Sequence, residues 1–289
     1  MYATQTIPPH TLNLGGRLLT LDRPLVMGIL NVTPDSFYAS SRTPADAPEA
    51  IAARVRQIVN EGGDIIDLGA YSTRPGADDI SPEEEMRRLA QALEIVKQEA
   101  PDALLSVDTF RADVARWCVE YYGVDMINDI SGGDFDRAMH RTVARLGVPY
   151  ILMHTQGRPE TMQQQPHYED VVAEVIEHLA RRVQHLRDYG ARDVIVDPGF
   201  GFGKTLSHNY QLMQRLVDFH ELNVPLLVGV SRKSMIYRLL DTTPDEALTG
   251  TTTLHTLALL AGAHFLRVHD VRAAVECRAI TLKTLHPYD

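Results

Sequence analysis

The chain has 289 residues, 44% hydrophobic and 23% charged, which suits one large α/β domain or two smaller ones around a substantial core. A formal net charge of −10 argues against non-specific binding to nucleic acid or an anionic membrane, yet a local group of cations could still hold an anionic ligand. The two cysteines, Cys118 and Cys277, have no metal-ligand spacing, MYATQTIPPH lacks the regions of a secretion signal, and the longest apolar stretch (257–268) is too short and interrupted to span a bilayer, so a cytoplasmic protein with no membrane partner is expected.

Residues 1–24 read as an N-terminal extension or short hairpin leading into a single barrel domain over 25–285. VMGIL (26–30) is the first of eight short apolar runs. After it come a long loop, TPDSFYASSRTPADAP (33–48), and a helix, EAIAARVRQIVNEGG (49–63), with Ile51, Val55, Ile58 and Val59 at helical spacing. DIIDLG (64–69) leads to a second long loop, AYSTRPGADDISP (70–82). The helix over 81–99 opens with Ser81 at its N-cap, Pro82 at its first position and three acids in its first turn. LLSVDT (104–109), DMIND (125–129) and YILMH (150–154) are the next strands, and 168–190 is a long amphipathic helix stopped by Gly190. VIVDPG (194–199), PLLVGVS (225–231) and HFLRVHD (264–270) complete the set. Strands apolar on both faces that alternate with helices predict a (β/α)8 TIM barrel; an open doubly wound sheet is the alternative, but it rarely needs eight such units.

Each run ends in polar residues: Asn31, Asp67, Asp108, Asn128 with Asp129, His154, Asp197, Ser231 with Arg232 and Lys233, and Arg267 with His269. In a barrel these ends share one face, and that face carries the active site. A lone aspartate at a strand end is more often a turn or a helix cap, but eight ends of this kind are not all caps. Asp108, Asn128 and Asp197 suit a flat polar heterocycle, because a carboxylate on an amidine-like edge makes two parallel hydrogen bonds. Arg267 and His269 lie two apart and share a face, as a phosphate or pyrophosphate site needs; an ion pair with Asp270 or another rim acid is the competing use of that charge. DPGFGFGKT (197–205) is not a nucleotide loop, since the glycine that should stand five positions before Gly203, with four residues between, is replaced by Pro198. No zinc cluster, metalloprotease helix or nucleophile elbow is present, and His154 has no evident Ser or Cys partner.

MGILNVTPDSF (27–37), STRPGA (72–77), SVDT (106–109), IND (127–129), LMHTQGRPETMQ (152–163), DPGFGFGK (197–204), GVSRKSMI (229–236) and RVHDV (267–271) together resemble the dihydropteroate synthase family, in order, over about residues 25–280. Two loops depart from the usual pattern: AYSTRP stands where a glycine and a glutamate usually precede Ser-Thr-Arg-Pro, and SFYASS stands where SFSDGG is usual.

The resemblance implies a transferase that joins 6-hydroxymethyl-7,8-dihydropterin pyrophosphate to 4-aminobenzoate with Mg²⁺, and it suggests a homodimer. On the matching positions it implies a pterin pyrophosphate site of Thr73, Asp108, Asn128, Asp197, Lys233, Arg267 and His269, with Asn31 as the metal ligand. The aminobenzoate site would be Thr73, Arg74, Pro75, Phe202, Lys233 and Ser234. Asp35, Phe37 and Arg74 would belong to mobile loops, and Asp108, Lys233, Arg267 and His269 would carry the chemistry. The glycines after Asp197 are expected to let the backbone and Phe202 approach a ligand closely. A corrinoid-linked pterin methyltransferase and a non-catalytic pterin-binding protein are the alternatives. The first has no use for SRKS and RVH, and the second would tolerate loss of Asp108, Lys233 or Arg267.

Overall fold

The computed structural model describes residues 10–14, 16–33, 47–72, 79–157 and 166–288. An antiparallel hairpin, β1 (Thr11–Leu14) and β2 (Arg17–Thr20), precedes the strands β3 (Leu25–Asn31), β4 (Ile65–Gly69), β5 (Leu104–Asp108), β6 (Met126–Asp129), β7 (Tyr150–Met153), β8 (Val194–Asp197), β9 (Leu227–Val228) and β10 (Phe265–Val268). Between and after them lie the helices α1 (Pro48–Asn60), α2 (Pro82–Glu99), α3 (Ala112–Tyr122), α4 (Met139–Leu146), α5 (Val171–Asp188), α6 (Leu206–Gln214), α7 (Ser234–Tyr237), α8 (Leu248–Leu260) and α9 (Val271–Leu285), with a 3₁₀ turn over Leu216–Leu222. The strands pair in parallel in the order β8-β7-β6-β5-β4-β3-β10-β9, and a parallel bridge between Val196 and Leu226 completes the circle. This is the (β/α)8 barrel expected from the sequence.

Strand β9 is shorter than the run 225–231. The chain leaves the wall after Val228 and tightens into a turn, in which Arg232 takes a φ of 53° and Lys233 N donates to Val230 O at 3.1 Å.

The period of two along each strand sorts the side chains into two cores. Val26, Leu30, Ile66, Leu68, Val107, Ile127, Leu152 and Val196 point outward and pack with buried helix residues such as Ile51, Val55, Leu89 and Leu93. Met27, Ile65, Met126, Ile151, Ile195, Leu227 and Phe265 point inward and fill the lower half of the barrel. Leu12 and Leu14 of the hairpin, 1% and 2% exposed, close that end from below. Burying each stabilises by about 1.5–3 kcal/mol.

Two residues further along the strands, the inward positions turn polar: Ile65 gives way to Asp67, Met126 to Asn128, Ile195 to Asp197 and Phe265 to Arg267. The barrel therefore has an apolar floor and a charged mouth.

Helix ends follow from local chemistry. Ser81 Oγ accepts from Glu84 N, Asp170 Oδ1 accepts from Val172 N and Ala173 N, and Thr205 forms a capping box with His208. Among the described residues no helix is long and apolar enough to cross a membrane.

Candidate active site

The polar mouth is organised around one guanidinium. Arg267 Nε donates to Asp67 Oδ2 at 2.6 Å, and its Nη2 donates to Asp108 Oδ2 at 2.8 Å. Asn128 Nδ2 donates to the same Asp67 oxygen at 3.2 Å. The rim-acid pairing is thus realised for Arg267, while Asp270 is taken by Arg232, which donates to both its carboxylate oxygens at 2.8 and 2.9 Å. Burial works against the Arg267 charge, but the two carboxylates hold it above its ordinary value. Burial pushes the Asp108 carboxyl up to about 7, against the pull of Arg267, and the nearby Asp67 adds to the rise.

A second group gathers across the mouth. Asp197, 4% exposed, accepts from Gly199 N at 2.7 Å, and burial raises its pKa. Lys233 Nζ donates to Phe200 O at 2.5 Å and lies 4.7 Å from the centre of the Phe202 ring. Burial brings its pKa down to about 8 despite Asp197. A Cβ built on Gly229 would come within 3.8 Å of Asp197 Oδ2, Lys233 Nζ and Arg267 Cβ alike, so the missing side chain leaves a space where the two groups meet. Ser234 opens α7 immediately after Lys233. His269 Nδ1 lies 3.1 Å from Ser231 Oγ, and burial with the nearby Arg267 takes its pKa to about 3. Its imidazole is therefore neutral and works through hydrogen bonds rather than charge. Arg54 Nη2 donates to the His269 carbonyl at 2.7 Å and also reaches Ile29 O, tying the ends of β10 and β3 together.

Asn31 ends β3, and its side chain makes no hydrogen bond to another described residue. A Cβ on Gly69 would lie 3.2 Å from Asn31 Oδ1 and 3.9 Å from Asp108 Oδ2. That leaves a gap between an amide oxygen and a carboxylate. No cluster of three or more His, Cys, Asp or Glu is placed to hold a metal among the described residues. The donor set suits a hard cation that keeps water and substrate oxygens in its shell and takes few protein ligands.

Asn31, Asp108, Asn128, Asp197, Phe202, Lys233, Ser234, Arg267 and His269 therefore share one face of the barrel. Asp35, Phe37, Thr73, Arg74 and Pro75 lie outside the described residues.

Of the glycines after Asp197, Gly201 faces the Lys233 stem as expected, where a Cβ would lie 3.3 Å from Lys233 Cδ, but Gly199 and Gly203 differ from the expectation. A Cβ at Gly199, whose φ is 72°, would sit 1.8 Å from His154 O, and one at Gly203 would sit 2.6 Å from Gln156 O. At these positions the room is taken by the end of β7 rather than held for a ligand. Asp67 is the residue the sequence reading left out of the site. It is fully buried, and its Oδ1 has no hydrogen-bond partner. The signal was present in DIIDLG: Ile65 and Asp67 share a face, so this carboxylate points into the barrel and sits too deep to cap a helix.

Fold and site define a pterin-binding enzyme of the TIM-barrel class, and the family model described as "Pterin binding enzyme" matches residues 27–269. The chain is 43% identical over 272 residues to the dihydropteroate synthase of Escherichia coli K12, spanning 93% of this chain and 95% of that one. The Yersinia pestis dihydropteroate synthase with a sulfonamide drug superposes with a TM-score of 0.90 at 37% identity, covering 96% and 100% of the two chains. The Xanthomonas albilineans dihydropteroate synthase with 4-aminobenzoic acid superposes with a TM-score of 0.83 at 40% identity, covering 96% and 98%. The chain belongs to the dihydropteroate synthase family.

Proposed function

We propose that this enzyme condenses 6-hydroxymethyl-7,8-dihydropterin pyrophosphate with 4-aminobenzoate to give 7,8-dihydropteroate and pyrophosphate, a step of folate biosynthesis. The observation that carries this reading is the meeting at Gly229 of Asp197, a buried carboxylate that suits a pterin edge, with Lys233, which lies over the Phe202 ring and suits an aromatic acid. Asp197 and Asn128 receive the pterin ring edge, Lys233 serves its carbonyl and Asp108 its amine side. Phe202 and the stem of Lys233 form one wall of the benzoate slot, with Ser234 at its far end. Thr73, Arg74 and Pro75 are assigned to the aminobenzoate by family resemblance alone, as are Asp35 and Phe37 to a mobile segment.

The displacement is dissociative. The C–O bond of the pterin methylene breaks and its electron pair leaves with pyrophosphate. The cation left behind is delocalised over the electron-rich ring. Asp108 stabilises that charge electrostatically, which requires its carboxylate form. Arg267 is held at the mouth between two carboxylates and donates to the departing phosphates, while neutral His269 contributes an N–H. The aromatic amine is uncharged near neutral pH, so its lone pair forms the C–N bond without a strong base, and the surplus proton leaves to water or pyrophosphate. Mg²⁺ fits the gap beside Asn31 Oδ1, and when bound it neutralises part of the pyrophosphate charge.

A homodimer is supported by the exposed apolar pair Leu239 and Leu240, 56% and 55% exposed, with Leu240 against α8 at Gly250. A cytoplasmic setting is supported by the free thiols of Cys118 and Cys277. The test is pyrophosphate release from the pterin pyrophosphate with and without 4-aminobenzoate, with dihydropteroate assayed in parallel. One-for-one release that stops with a chelator and returns with Mg²⁺ is expected. Pterin binding without release would refute the synthase reading.

A further inference from the structure

The Gly-Lys-Thr sequence that mimics a nucleotide loop leaves one residue without a part in the reaction. Lys204 is 3% exposed and lies beneath the 199–203 loop. Its Nζ donates to Gly199 O and to Phe202 O, both at 3.0 Å, and lies 3.0 Å from His154 Nδ1. His154 O lies 3.4 Å away as well, so the three protons of an ammonium are shared among four acceptors. The neighbouring polar groups are spoken for by others. Phe200 O receives Lys233, Gly203 O receives Tyr168 OH at 2.9 Å, and Gly201 N donates to Asn209 Oδ1 at 2.7 Å. An apolar side chain at 204 would take the donor from Phe202 O and leave Gly199 O with Phe202 N alone, loosening the loop at both points. Burial still works against the charge and lowers the Lys204 pKa to about 7. Thr205 then caps α6.

We propose that Lys204, seated on His154, is a positioning residue that fixes the 199–203 loop and so sets the aminobenzoate slot through the Phe202 ring and the Phe200 carbonyl that holds Lys233. The inference rests on the placement of aminobenzoate against Phe202 given above. It predicts a selective effect. Asp197 and Asn128 are held by the strand ladders of β8 and β6, and the loop reaches the pterin edge only through Gly199 N on Asp197 and through Lys233, so the pterin depends on the loop less than the aminobenzoate does.

The experiment is steady-state kinetics of Lys204→Met with each substrate varied, together with calorimetry of pterin pyrophosphate binding. Losing at least one charge-assisted hydrogen bond from the loop raises the KM for 4-aminobenzoate about tenfold or more, while the pterin Kd rises by a clearly smaller factor. An unchanged KM, or a pterin Kd weakened by the same factor, would overturn the proposal. If Lys204→Met does not fold, His154 carries the test. His154→Leu removes the acceptor and should raise the same KM, whereas His154→Asn keeps an acceptor near Nδ1 and should restore it; equal behaviour of the two would also overturn the proposal. Phe202→Ala separates the layers. If it raises the KM and Lys204→Met does not, the Lys204 role is wrong. If Phe202→Ala changes nothing, the aminobenzoate placement falls and the Lys204 role with it.

Discussion

Asp67→Asn tests whether the mouth is an electrostatic unit. Asp67 and Asp108 share the Arg267 guanidinium, and burial, with Asp67 adding to it, holds the Asp108 carboxyl up at about 7. Turnover needs the Asp108 carboxylate, so kcat/KM in the wild type should be lost as pH falls through about 7. Asp67 lies opposite Ser106, two residues before Asp108 on the adjacent strand. At about 7 Å and an effective dielectric of about 20, a unit charge at Asp67 costs the Asp108 carboxylate about 2 kcal/mol, or about 1.5 pK units. Removing that charge lets Asp108 give up its proton at lower pH, and Arg267, freed of one partner, adds to the same shift. The acid limb should therefore move down to about pH 5.5. Pyrophosphate release followed at low substrate from pH 5 to 9 would show it. A limb that stays in place, or moves up, would refute the coupling; a wild-type profile flat through pH 7 would remove Asp108 as its source.

Three other outcomes are expected. Asp108→Ala should abolish turnover while leaving the circular dichroism spectrum in place, and near-normal turnover would sink its electrostatic role. Lys233 has a pKa brought down to about 8 by burial, so wild-type kcat/KM should fall as pH rises through that value; Lys233→Arg, which keeps its proton, should lower the plateau and lose the alkaline limb. Leu14→Ala, far from the mouth, should cost about 2–5 kcal/mol in urea unfolding with kcat unchanged, because it opens a void in the floor.

The barrel was legible because its strands are buried on both faces and stand out as continuous apolar runs, and because caps such as Ser81-Pro82 mark helix starts by local chemistry alone. β9 was overdrawn because PLLVGVS keeps its apolar character past the point where the chain leaves the wall. The site residues at strand ends were legible by position and family pattern. What they touch was not. Arg267 read as a phosphate cation, but here it is shared between Asp67 and Asp108, a pairing across three strands that no local pattern contains. The inward role of Lys204 was hidden for the same reason, since its partners come partly from β7, some fifty residues earlier in the chain. His269 read as a cation, yet its ionisation depends on burial, which spacing does not reveal.

The hairpin floor settles how molecules must pass. With Leu12 and Leu14 packed on the base, the described residues leave the polar mouth as the open end of the barrel. Asp197 and Asn128, each 4% exposed, lie deeper than the half-buried Phe202 and Lys233. On the placement proposed above, the pterin site is reached past the aminobenzoate site, so a molecule that occupies the shallow place alone stands in the way of the next pterin.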